Sequence, residues 1–422
     1  MIPTLPSELT TRRTLLTAFV AHLDADCFYV SAERVRHPDL IDKAVGVLGN
    51  NGACVIAKSY EMKARGVKTG TPIWDAKALC PEGVYVKRDF YWYEVLSRKM
   101  LGIVGTFSPK VEYYSIDEFF FRAERLHPRQ NLHQTATAIR DHILEAAGLP
   151  VTIGVARTRT LAKLFSDTGK PFGAVAVLER DHERELLATL PVTEISGIAG
   201  RRAARLAPYG IRSCLDLADA DGRLVNRLLT KTGYEIWLEL NGTPVTPIRP
   251  ERPPHKALGR GGSLMGNVDQ PVVLWAWAVR HVERLIEELN YHNVRTTALA
   301  VEVGWKTGGS TCGVVSIPTP TDRFDDLLDA ARVALRRAFV PYATATHLHV
   351  LATELRRGKG FQLSLFDTPD PKKDAAAQAK AAVNARHGRF KVRSGVTLYL
   401  PAVYADPANN FDICDVRGKI CF

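Results

Sequence analysis

The chain has 422 residues, more than one ordinary hydrophobic core can organise, so about two to four domains are expected. Its 56 Lys and Arg against 45 Asp and Glu leave a formal net charge of +11, which favours a polyanionic partner such as nucleic acid, although an anionic membrane surface would fit the charge equally well. No apolar run approaches a membrane span, and the seven cysteines are scattered without a CxxC pair, so membrane insertion, zinc and disulfides are disfavoured and a soluble cytoplasmic protein is expected.

Residues 18–23 are apolar and strand-like and run into Asp24-Ala25-Asp26 before the helical spacing of Phe28, Val30, Ala32 and Val35 begins. A second strand at 45–48 meets the turn signal Gly49-Asn50-Asn51-Gly52 and then Cys54-Val55-Ile56-Ala57, which predicts a hairpin followed by a short helix to about Arg65. Further strands are expected at 84–86, 111–116, 118–121, 151–155 and 174–178, with helices near 91–105, 131–147 and 158–168, giving an α/β core of mixed sheet. From about residue 190 the texture changes: Gly197-Ile198-Ala199-Gly200 precedes a helix rich in Arg and Ala, and short helices continue to about Asn241. The proline-rich run 243–254 reads as an extended linker, because proline removes backbone donors and fixes φ, and a domain boundary belongs there. Beyond it, strand 256–264, helix 271–289, strands 295–305 and 313–317, helix 324–339 and strand 347–355 form a βαββαβ unit. After Arg356 the chain turns polar and Ala/Lys-rich, which predicts a flexible tail, while 388–422 regains apolar residues that could fold back.

Carboxylates stand at two strand ends, Asp24 after the first strand and Asp117-Glu118 within Ser115-Ile116-Asp117-Glu118. An isolated Asp-Glu pair is usually a solvated turn. Three carboxylates converging from apolar strands would instead repel unless cations lay between them, and hard oxygen ligands select Mg²⁺ or Mn²⁺. Two such ions about 3.5–4 Å apart serve polymerase chemistry and nuclease chemistry alike. Neighbours on a strand face opposite sides, so Asp117 and Glu118 can share a metal only if the strand ends or turns there. Asp26, just ahead of the helix, reads as its N-cap.

The residues Leu23-Asp24-Ala25-Asp26-Cys27-Phe28-Tyr29 and Tyr114-Ser115-Ile116-Asp117-Glu118 resemble the two metal-binding motifs of the Y-family DNA polymerases, with the UmuC type as the nearest likeness within that family. Three more blocks agree in order: the fingers-like segment from Cys54 through Tyr60 and Lys63 to Lys68, the palm-end segment Thr152-Ile153-Gly154-Val155-Ala156 through Thr168-Gly169-Lys170-Pro171, and the sliding-clamp-like peptide Gln362-Leu363-Ser364-Leu365-Phe366. The resemblance implies an error-prone, template-directed polymerase acting in SOS-type repair of damaged DNA, with two metal ions held by Asp24, Asp117, Glu118 and the Ala25 carbonyl. It makes Tyr29 the steric gate against a ribose 2′-hydroxyl and places Phe28, Tyr60, Lys63 and Lys170 at the nucleotide. Gly197 and Gly200 would offer a helix-hairpin-helix to DNA, Lys256, Arg260 and Arg295 would track the duplex, and Gln362, Leu363, Leu365 and Phe366 would dock on the clamp.

The implied domains are palm and fingers over 1–188 (fingers about 34–80), a helical thumb over 189–250, a little finger over 251–357 and a tail with the clamp peptide over 358–422. Primer-template DNA and dNTPs are the implied partners, with the sliding clamp, a UmuD-like dimer and a RecA-type recombinase filament beside them and no membrane. Two rivals stand against this reading: a clamp-associated DNA-binding scaffold without catalysis, and a two-metal nuclease. Tyr29 and Lys170 argue against the nuclease, which needs neither a sugar gate nor a triphosphate ligand.

Overall fold

The structure, a computed structural model, describes residues 19–49, 52–251, 253–357 and 371–405, with the side chains of 373–374 left aside. Two compact units divide the chain, one running to Arg252 and the other beginning at Pro253.

In the first unit, β1 (Phe19–Ala25) leads through a left-handed residue, Cys27 at φ 48°, into α1 (Phe28–Arg36). The expected hairpin forms: β2 (Val45–Leu48) pairs antiparallel with β3 (Val55–Lys58). Ser59 caps α2 (Tyr60–Ala64), accepting from Met62 N. The next helix, α3 (Ile73–Leu79), goes beyond the elements expected from sequence; Pro72 at its start fixes the entry φ. β4 (Val84–Lys87) then runs parallel to β2 and completes a three-stranded sheet, β3-β2-β4. Asp89 caps α4 (Phe90–Phe107), which presents Phe90, Tyr93, Leu96, Met100 and Val104 to the core at helical spacing.

The larger sheet is assembled from β1 with β5 (Val111–Tyr113), β6 (Glu118–Ala123), β7 (Val151–Ala156) and β8 (Ala174–Ala176), in the order β5-β6-β1-β7-β8. β1 lies at its centre, antiparallel to both β6 and β7, which buries it on two sides. An Asn131–Gln134 capping box starts α5 (Leu132–Ala147), and Gly148 at φ 69° ends it. Thr158 caps α6 (Arg159–Thr168), which packs closely on β7 because Gly154 has no side chain: a Cβ there would lie 2.3 Å from Ala162 O and 2.5 Å from Ser166 N. Then come α7 (Arg180–Thr189), a further helix beyond those expected, α8 (Gly200–Leu206), α9 (Cys214–Asp219) and α10 (Gly222–Leu240). Leu206, Leu217, Val225 and Leu229 of this helical part share one apolar cluster with Leu161, Leu164 and Phe165 of α6.

The second unit follows the βαββαβ order: β9 (Leu258–Val268), α11 (Pro271–Tyr291), β10 (Val294–Trp305), β11 (Ser310–Thr321), α12 (Phe324–Ala338) and β12 (Ala345–Arg357). Its four strands are all antiparallel in the order β11-β10-β12-β9, and both helices bury Leu285, Leu289, Leu327 and Ala334 against Leu299, Val301, Leu348 and Val350 of the sheet.

Residues 371–387 depart from the expected flexible tail, and the apolar residues of 388–405 fold back on the unit as the sequence suggests. Together they form α13 (Pro371–His387), a 3-10 turn at Gly395–Tyr399 and α14 (Pro401–Ala405), and Leu400 and Val403 enter the same core as α11. Buried Glu283 of α11 ties this segment down, accepting from Lys380 Nζ at 2.6 Å and Ser394 N at 2.9 Å, while the Arg280 guanidinium lies 4.6 Å from the Tyr404 ring centroid. The Ala/Lys-rich stretch expected to be flexible is a good helix former, and the later apolar residues supply its anchor. The peptide Gln362–Phe366 lies outside the described residues.

Candidate active site

Alternation along β1 puts His22 and Asp24 on one face, and the antiparallel register sets Glu118 directly opposite Asp24 and Phe120 opposite His22. Ligand-capable atoms of His22, Asp24 and Glu118 all lie within 4.8 Å of one another. Asp117 is not in that tight set, but its main chain is fixed beside it: Ala25 N donates to Asp117 O at 2.9 Å. The strand-face objection resolves locally, because β6 begins at Glu118 and residues 115–117 form the bend that precedes it. Ser115 organises the bend, its Oγ donating to Asp117 Oδ1 at 2.5 Å and accepting from Glu118 N at 3.1 Å.

The electrostatics are those of crowded carboxylates. Burial above all pushes Asp24 up to about 8; Lys170 opposes the shift, and Asp117 and Glu118 add to it. Asp117 is raised as well, by burial and by Glu118, with the Ser115 hydrogen bond working the other way. For Glu118 burial is outweighed, and the partners His22 and Lys163 hold its carboxyl well below the usual range. His22, fully buried, is lowered to about 4 by that burial and is therefore neutral. His22 Nδ1 lies 2.7 Å from Ser166 Oγ, and that hydroxyl also donates to Lys163 O at 2.8 Å, so the ring is held in place from its far side. Its Nε2 faces Glu118 Oε1 at 3.6 Å, just beyond hydrogen-bond reach. Mutually repelling oxygens suit a divalent cation, and Asp24, Asp117, Glu118 and the Ala25 carbonyl at the end of β1 are hard donors for one.

Helix α6 and the turn after it supply the positive side. Lys163 Nζ contacts Glu118 Oε1, and Lys170 Nζ lies 2.9 Å from Asp24 Oδ2 and 2.8 Å from Asp167 Oδ1. Burial would lower the Lys170 ammonium, but these two carboxylates outweigh it and hold it charged. His22, Lys163, Ser166 and Asp167 were not among the residues singled out from sequence. The readable signals were His22 two positions before Asp24 on a strand, and the three-to-four-residue spacing of Lys163, Asp167 and Lys170.

Asp26 is not the N-cap of α1. Cys27 occupies that position without a side-chain cap, and Asp26, 3 % exposed, instead accepts from Phe172 N at 2.8 Å, Thr152 Oγ1 at 2.9 Å and Tyr60 Oη at 3.2 Å. It thereby links α2, β7 and the chain just after Lys170. Of the expected nucleotide residues, Tyr60 thus engages Asp26, while Lys63 is exposed with its Nζ 6.0 Å from the Tyr60 ring centroid. Phe28 is 4 % exposed and its ring packs near Tyr93, so its side chain is a core group. Tyr29, half-buried, stacks on Tyr93.

Among the expected DNA contacts, Gly197 adopts φ 94° and Gly200 opens α8; Ala199 between them is extended at φ −92°, so no positive φ is needed there. Lys256 is exposed, and Arg295 is half-buried with Nε 3.4 Å from Asp322 Oδ1. Arg260 departs from expectation: it shares the inward face of β9 with Leu258 and Leu264, is 5 % exposed and pairs with Glu288 at 2.5 Å, so its guanidinium is not offered to a phosphate.

Residues 23–167 match the model of the impB/mucB/samB family and residues 255–365 match that family's C-terminal domain, together more than half of the chain. DNA polymerase IV of Bacillus velezensis is 28 % identical over 386 residues, covering 90 % of this chain and 93 % of that protein. Protein MucB of Salmonella typhimurium is 29 % identical over 384 residues, covering 86 % and 88 %. A solved chimera of the Y-family polymerases Dbh and Dpo4 superposes with a TM-score of 0.66 at 22 % identity, covering 81 % of this chain and all of that one, a likeness of fold. No helix among the described residues is long and apolar enough to cross a membrane. With matching models over both units and a carboxylate cluster at the end of the central strand, the chain belongs to the Y family of translesion DNA polymerases, related to UmuC, whose members require divalent metal ions.

Proposed function

We infer that this chain extends a DNA primer on a damaged template by nucleotidyl transfer, with Asp24, Asp117 and Glu118 as its metal-binding carboxylates. The observation that carries the reading is the meeting of Asp24 and Glu118 across β1 and β6, with Asp117 fixed beside them by the Ala25 amide. Two Mg²⁺ ions, with Mn²⁺ as an alternative, would be held by these carboxylates and the Ala25 carbonyl and would neutralise the charge of the reacting phosphates. Tyr29 is assigned as the gate against a 2′-hydroxyl. Lys170, now on Asp24 and Asp167, would be released toward the triphosphate as cations take over Asp24, and Lys63, Tyr60 and the first-turn amides of α1 at Phe28 would complete that cradle.

Palm and fingers are proposed for 1–188 (fingers about 34–80), thumb for 189–250, little finger for 251–357 and a tail for 358–422, a division that the family likeness supports. Gly197, Gly200, Lys256 and Arg295 are proposed as phosphate contacts to primer-template DNA; Arg260 is not. Residues 362–366 are proposed to dock on a sliding clamp, and a UmuD-like dimer and a recombinase filament as further partners follow from the UmuC likeness alone, as does a cytoplasmic, nucleoid-associated setting.

Incubating the purified chain with labelled primer-template, Mg²⁺ and four dNTPs tests the reading. Elongation supports it, shortening would indicate a nuclease, and an unchanged primer that is nonetheless bound would indicate a scaffold.

A further inference from the structure

Behind Tyr29 on the first turn of α1 lies a second ring: Tyr93 of α4 is parallel to it within 16°, with centroids 4.6 Å apart, and Phe90 meets it edge-on at 5.7 Å. Tyr93 is fully buried, and its hydroxyl donates to Glu33 Oε1 at 2.7 Å. Glu33, itself 2 % exposed, is gripped by both arms of Arg36, from Nε to Oε2 at 2.9 Å and from Nη2 to Oε1 at 2.8 Å. The remaining nitrogen, Nη1, reaches Asp89 Oδ2 at 2.8 Å, and Asp89 in turn caps α4 through Trp92 N. Trp92 returns the tie by donating from Nε1 to Ala32 O at 2.8 Å. A fork of this kind fixes direction as well as distance, which a packed ring alone would not. Burial and the neighbouring Glu33 carboxylate also raise the Tyr93 phenol, so it remains a donor.

We propose that Tyr93, locked by the Glu33–Arg36–Asp89 clamp, is a positioning residue for sugar discrimination: it sets the height of the Tyr29 ring and thereby the preference for deoxyribonucleotides. The proposal rests on the polymerase reading and on Tyr29 as the gate. Steric exclusion works through close repulsion, so a gate that can sink into the space behind it admits the extra hydroxyl. A ring held on both its face and its edge cannot sink.

The test is single-nucleotide insertion with a matched dNTP and rNTP, scored as the ratio of their kcat/KM values. Tyr93→Leu, with Tyr29 intact, lowers that ratio about 10-fold or more, since misplacement by roughly 1 Å can cost on the order of 10²-fold. Tyr93→Phe keeps the ring, cuts the tie to Glu33 and lowers the ratio about 3-fold, the worth of one modest hydrogen bond. In a Tyr29→Ala background, Tyr93→Leu causes no further loss, because nothing remains to be positioned. An unchanged ratio in Tyr93→Leu, or an equal loss in both backgrounds, overturns the proposal. If Tyr93→Leu does not fold, Tyr93→Phe decides alone, and an unchanged ratio overturns it. A wild-type chain that inserts neither nucleotide overturns the polymerase reading itself, an outcome distinct from a wild type that inserts dNTPs while the ratio ignores Tyr93.

Discussion

Asp26→Ala separates the role that sequence suggests for this residue from the one the fold gives it. A lost helix N-cap would cost about 1 kcal/mol and leave nucleotide binding alone. The structure instead has three donors converging on this carboxylate: Phe172 N, Thr152 Oγ1 and Tyr60 Oη. Thr152 is fully buried and the Phe172 amide is part-buried, and each donor left unsatisfied costs about 1–3 kcal/mol. Burial raises the Asp26 carboxyl, so removing the charge returns some of that energy, and a net loss of about 3 kcal/mol is expected. For a unit of this size, that lowers Tm by roughly 6–12 °C. Because Tyr60 and the turn after Lys170 are the groups released, KM for dNTP rises while kcat falls less. Thermal melts and steady-state insertion on the same preparation give both readouts. A Tm within about 3 °C of the parent, the N-cap range, together with an unchanged KM would refute the hub.

Lys256→Ala should weaken primer-template binding at low salt and reduce the salt slope of log Kd by about 1. Arg260→Ala should leave that slope unchanged but destabilise the second unit by about 3 kcal/mol in denaturant unfolding, because Glu288 keeps its burial and loses a partner. Glu283→Ala should raise amide hydrogen exchange across 371–405 while β10 and β12 stay protected, since Lys380 Nζ and Ser394 N both end on that carboxylate.

Much of the fold could be read because its signals are local. The βαββαβ unit shows as alternating strand and helix periods, and the hairpin at 45–58 as a turn between two apolar runs. The register of Asp24 against Glu118 is not local: the two residues lie far apart along the chain, and only the pairing of β1 with β6 brings them together. Strand parity alone would have corrected Arg260, which alternates in step with Leu258 and Leu264. Asp26 misled because a short polar side chain before a helix usually caps it; nothing nearby in sequence announces Thr152 and Phe172 as its partners. The stack of Tyr29 on Tyr93 is likewise tertiary, and neither flank signals it.

The most direct test of the central claim is Asp117→Ala, measured for single-nucleotide insertion and for primer-template binding in the same preparation. If three carboxylates hold the catalytic cations, insertion is abolished and binding stays largely intact. Insertion that survives the substitution would contradict the metal assignment.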